Sequence, residues 1–230
     1  MTKLYTVAEM TGREIFRRRG VLVLLLTLPL AFYLARRTDH SGQAVRFVLL
    51  GVSWAVSVVA LFAGSASRAI EPRLRLSGYR SHQLYLGRLA ALWGIGAVLS
   101  VPYTLLVAVD QDAVRSGAVA VAMLLGVAVA APLGLLLSAV LPRELEGTLA
   151  LLIVIGLQMI IDPSATVARS LPFWSSREIA TYAVDHVDSG YLERGVLHGL
   201  GFMIGLTVLV AVISTLRLRR RPHLRVMPIQ

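Results

Sequence analysis

The chain has 230 residues, 56% of them hydrophobic, with a mean hydropathy of +0.71 and a formal net charge of +10. That balance leaves almost no soluble body and excludes an ordinary water-soluble domain. Cysteine is absent, which excludes disulfides, thiolate metal sites and cysteine nucleophiles within these residues.

The chain opens with a basic segment, residues 1 to 19, in which Leu4, Val7, Ala8, Thr11 and Ile15 repeat on one helical face. Glu9, Arg13 and Arg17 recur at four-residue spacing on another face, where side-chain pairs support a helix. The pattern fits an amphipathic helix lying in the headgroup layer more closely than a plain basic flank.

Apolar stretches follow at residues 20 to 35, 47 to 66, 89 to 109, 117 to 140, 148 to 161 and 196 to 216. A hydrocarbon core of about 30 Å takes roughly 20 helical residues, so the expected architecture is all-α and polytopic, a single membrane domain of six spans. The first and fifth stretches are short for the task. A cleaved signal at residues 21 to 35 is disfavoured, because Arg36 and Arg37 stand where small residues would mark a cleavage site.

The longest connection, residues 67 to 88, mixes Leu74, Leu76, Tyr79, Leu84 and Leu86 with Arg68, Arg73, Arg75, Arg80 and Arg88. Pro72 suits a first helical turn, and Ser77-Gly78 is a plausible break before a second short helix. This composition fits either a docking element for a partner's cleft or a solvated loop with a few headgroup anchors. A short polar turn, residues 141 to 147, separates the fourth and fifth stretches. Residues 162 to 195 hold Pro163, Pro172, Phe173, Trp174, Tyr182 and Tyr191 among acids, a composition that favours the membrane interface, with a short helix expected over 176 to 187. A basic tail, residues 217 to 230, closes the chain.

By this layout sixteen basic residues lie on the face carrying both termini and seven on the other. The positive-inside rule then places both termini in the cytoplasm of a multi-pass protein of the plasma (inner) membrane. The charge is spread over juxtamembrane segments without interleaved aromatic stacking positions, so anionic lipid, and not nucleic acid, is the expected partner.

No Asp, Glu, Lys or Arg falls inside any of the six stretches, in contrast to ion-coupled carriers. No G-x-x-x-x-G-K-[ST] phosphate loop occurs either, so an enzymatic role in ATP hydrolysis is not expected of this chain. Ser65, Ser67 and His198 supply the residue types of an intramembrane serine protease, an alternative weakened because the layout puts them about a bilayer apart. A membrane scaffold or sensor is a further alternative. Asp185, His186 and Asp188 lack the spacing of a structural metal site, so no metal is expected. Small residues at four-residue spacing, Gly195 with Gly199, Gly201 with Gly205, and Gly126, Ala130 and Gly134, mark close helix packing. Pro29, Pro102 and Pro132 interrupt stretches one, three and four as hinges or fixed bends.

Glu71 at the start of the long connection, Leu84-Tyr-Leu-Gly87-Arg88-Leu89 at its end, the turn Leu141-Pro-Arg-Glu-Leu-Glu-Gly147 and the outer Leu171-Pro-Phe-Trp174 come in an order that resembles the permease subunits of ABC-2 transporters, ATP-binding-cassette exporters. The Gly-Thr pair after the acidic position and the Pro near Ser81, common in that family, are absent. The resemblance covers nearly the whole chain. It implies export or flipping of a hydrophobic or amphipathic substrate, a cytoplasmic ABC ATPase that binds the ATP and Mg, and a second permease copy or similar chain as partner. It further implies that Glu71, Arg73, Leu74, Ser77, Gly78, Tyr79, Leu84, Leu86, Gly87 and Arg88 couple to the ATPase, and that Pro172, Phe173 and Trp174 help close the pathway on the outer side.

Overall fold

A computed structural model describes residues 2–37, 41–162 and 165–219. Pro163 of the expected outer segment and Arg220, Arg221 and Arg225 of the expected tail lie outside them. Every regular element among the described residues is a helix, and there is no strand among them. The elements are α1 (Thr2–Arg17), α2 (Arg19–Leu34), α3 (Ser41–Ser67), α4 (Glu71–Leu76), α5 (Ser81–Asp110), α6 (Ser116–Val140), α7 (Glu144–Ile160), a 3-10 turn (Thr166–Ser170), α8 (Trp174–Val184) and α9 (Gly190–Arg219).

Four of these are long and apolar enough to cross a membrane: Gly42–Ser67, Ser81–Asp110, Ser116–Val140 and Gly190–Leu216. With α2 at 16 residues and α7 at 17, those two apolar helices reach only about 24 to 26 Å at roughly 1.5 Å per residue. Several boundaries differ from the expected ones. Residues 81 to 88 are not a separate short helix but the first two turns of α5, because Leu84, Tyr85, Gly87 and Arg88 bury there and carry the helix into its apolar run. Likewise α9 begins at Gly190, inside the expected outer segment, and α8 starts at Trp174 where residue 176 was expected. With these limits the long helices do contain charge, since Arg46 and Arg88 lie within Gly42–Ser67 and Ser81–Asp110.

The centre of the bundle is the seam between α3 and α6, and small residues make it possible. A side chain at Gly134 would fall on the Ser57 carbonyl and within 2.7 Å of Ala60 Cβ, and one at Gly126 would meet Ser53 Oγ at 2.6 Å. Ser57 Oγ donates to the Ala130 carbonyl across the seam (3.1 Å), so the close approach also satisfies a buried hydroxyl. Around this pair pack α2 and α7 against α3, and α5, α8 and α9 against α6.

Pro132 removes an N–H from the middle of α6 and so frees the carbonyl four residues earlier. That carbonyl belongs to Ala128, and the Trp93 indole N–H of α5 donates to it at 3.2 Å. The carbonyl left free by Pro132 is thus satisfied from a neighbouring helix.

Candidate functional site: the junction of α1, α4 and α5

At the end of the bundle where α3 stops and α5 starts, three short-range constraints build one unit. Arg18 leaves helical backbone (φ −90°, ψ 80°), separating α1 from α2. Then α1 packs on the beginning of α5, where Gly87 lets it in: a Cβ there would lie 2.8 Å from both the Leu4 carbonyl and Val7 Cβ. Val7 and Ile15 are buried by this contact side. The apolar face expected to rest on lipid is therefore largely spent on protein, and the large apolar side chains that α1 exposes are Tyr5, Met10 and Phe16. Glu9 and Arg13 pair along the helix at 2.5 Å, as their spacing predicts, and Arg17 is exposed.

The six residues of α4 carry Glu71 and Pro72 in the first turn, where a carboxylate favours the helix dipole and proline forfeits no bond. The helix ends at Ser77, and Gly78 takes φ +82°, a backbone conformation costly for other residues. Gly78 donates its N–H to the Arg75 carbonyl and Tyr79 to that of Leu74. The expected break at Ser77-Gly78 is a tight reversal between α4 and α5.

That reversal brings Glu71 and Arg88 together. Arg88 Nη1 lies 3.2 Å from Glu71 Oε1, and both side chains are about 90% buried. A buried, charge-assisted contact of this kind ties α4 to α5. Lys3 Nζ donates to the Gly78 carbonyl at 3.0 Å and stands over the Tyr79 ring. Arg68 donates to the carbonyls of Leu141 and Pro142, fastening the end of α3 to the α6–α7 turn.

Of the expected coupling residues, Glu71, Leu84, Gly87 and Arg88 face inward, Leu74 and Tyr79 are half-buried, and Arg73, Ser77, Gly78 and Leu86 are exposed. Sequence reasoning grouped Glu71 with Arg88 without pairing them, passed over Lys3, and named Leu76 only as one of five apolar residues in the connection. Leu76 is 90% exposed at the tip of α4, flanked by the exposed Arg73 and Arg75.

At the opposite end, α8 forms a packed cap. Pro172, Phe173 and Trp174 are all buried, Phe173 completely. The Trp174 ring meets His198 at 4.9 Å, His198 stacks on Phe202 at 4.6 Å, and a His198 ring nitrogen pairs with the Arg169 carbonyl at 2.8 Å. Ser67, at the other end of the bundle, donates to the Gly64 carbonyl. Asp185, His186 and Asp188 do not converge: they bind Arg46, the Ala113 carbonyl and the Gly190 N–H respectively. Compared with known proteins, the chain matches no protein-family model and no curated protein.

Proposed function

We propose that this chain is the permease subunit of an ABC-2 exporter, in which α2, α3, α5, α6, α7 and α9 cross the plasma membrane. Both termini and α4 then face the cytoplasm, following the excess of arginine at that end. A separate ABC ATPase binds ATP and Mg, and a second permease copy or a similar chain completes the pathway for a hydrophobic or amphipathic substrate. The observation that carries this reading is the mechanical continuity of the junction. The exposed tip at Leu76 belongs to a helix locked by Glu71–Arg88 to α5 and linked at its end by Lys3 to α1, so a partner that pushes the tip moves a membrane helix and its surface helix together. The exposed Arg73 and Leu86 enlarge the same contact, and the lack of a phosphate loop leaves the energy to that partner. On the outer side Phe173 and Trp174 form the closing cap.

The test is purification from the native membrane in mild detergent. The expected result is a co-purifying ATPase whose vanadate-sensitive hydrolysis survives, and Leu76→Asp with Leu86→Asp removes the ATPase while membrane insertion is unchanged. Absence of any ATPase, or labelling of the α4 tip from outside the cell, overturns the reading.

A further inference from the structure

At the end of the bundle opposite α4, a cavity of about 360 Å³ opens between the C-terminal ends of α2 and α7 and the N-terminal parts of α3 and α8. Three guanidiniums line it, those of Arg36, Arg46 and Arg177, and among the described residues no Asp or Glu lines it. Among the described residues, nearby acids balance them only in part. Asp185 holds Arg46 at 2.6 Å. Glu178 and Asp162 act on Arg177, but Glu178 is itself paired with Arg194 at 3.3 Å. Burial first, and then the charge of Arg46, push the Arg177 guanidinium below its ordinary range, which marks a place where another cation is unwelcome and an anion is favoured.

A second, independent feature lies in the same walls. Gln158 and Ser176 are each 3% exposed, and among the described residues Gln158 Oε1, Ser176 Oγ and Arg46 Nε have no hydrogen-bond partner. Buried polar atoms left this way cost free energy, and three around one cavity leave room there for hydrogen bonds to a ligand or to water. The serine hydroxyl donates, and the amide group of Gln158 donates in its flipped orientation. The rest of the lining is Gln43 together with the apolar Phe47, Leu50 and Met159, and Met159 is itself 45% exposed on α7.

We infer that this cavity binds a phosphate-bearing anion, the guanidiniums of Arg36 and Arg177 gripping the phosphate oxygens while Gln158 and Ser176 complete their hydrogen bonds. Arginine forks suit phosphate oxygens in a way that a point charge does not. The apolar wall fits an acyl chain leaving along α7. The inference does not depend on the transport reading, because it concerns binding by this chain without an ATPase.

The test uses the full chain in nanodiscs. Nanodiscs of phosphatidylcholine doped with phosphatidylglycerol are compared by native mass spectrometry of the lipid that stays bound. Wild-type protein is expected to retain phosphatidylglycerol over phosphatidylcholine by about tenfold or more, because both lipids offer a phosphate but the choline cation of phosphatidylcholine is repelled by the three guanidiniums. The Arg36→Gln/Arg177→Gln double variant loses that preference, whereas Arg13→Gln at the other end keeps it, which separates the cavity from general attraction to basic flanks. Gln158→Leu, which leaves every charge in place, weakens retention severalfold and covers the case in which the double variant does not fold. Inorganic phosphate that displaces the lipid at millimolar concentration identifies free phosphate as the ligand. Failure to displace it identifies the lipid headgroup. Equal retention of both lipids by wild-type protein, or a preference untouched by both the double variant and Gln158→Leu, overturns the inference.

Discussion

The α3–α6 seam and α9 carry similar small-residue spacing, yet they are opposite kinds of surface. Of the most apolar stretches of α3 and α6, 72% of each is buried inside the chain, against 11% for α9. At the seam every glycine is taken: Gly64, Gly126 and Gly134 each have a neighbour where a side chain would stand. Along α9 the pattern divides. Gly195 presses on Ile179 and the Ser175 carbonyl and Gly199 on Leu125, whereas Gly201 and Gly205 have nothing within 4 Å. Spacing alone thus marks where close approach is permitted, and the position of neighbouring helices decides whether it occurs.

The largest blow to the seam is Gly134→Val. Its side chain meets backbone that has no rotamer to yield, so a loss of about 3 kcal/mol is expected, read as a lowered melting temperature in detergent. Gly195→Val probes the packed end of α9 and is expected to cost about 1 to 2 kcal/mol, since the Ile179 side chain can give way but the Ser175 carbonyl cannot. If the two variants melt alike, the contrast between seam and α9 fails. Trp93→Phe keeps an aromatic ring but strands the Ala128 carbonyl below Pro132, for about 1 kcal/mol. Its melting curve shows whether α6 at Pro132 is braced from α5. Smallest is Gly205→Ala, with a change within about 0.5 kcal/mol. A larger loss of stability there reveals a partner seated on α9.

Sequence reasoning saw the helices and missed how they are used. The apolar stretches were found in order, and the break at Ser77-Gly78 could be read because glycine next to serine is a local signal. The start of α5 could not, because residues 81 to 88 look like a charged connection until Leu84, Gly87 and Arg88 find α1 and Glu71 beside them. The amphipathic face of α1 was likewise legible while its target was not: Val7 is as compatible with lipid as with α5. For the cavity at the far end, Arg36, Arg46 and Arg177 stand on three different segments and read as ordinary flanking charge. Gln158 stands alone in its apolar stretch, with no sequence neighbour to mark it.

By itself the sequence determined that this chain is helical and apolar enough for a membrane, because backbone hydrogen bonding and apolar run length are properties of contiguous residues. Only the tertiary structure decided that Arg88 meets Glu71, that Trp93 serves the carbonyl freed by Pro132, and that three arginines share a cavity with Gln158 and Ser176. These pairings join residues from separate segments, and what brings them together is the packing of helices against one another, which no single stretch of sequence contains.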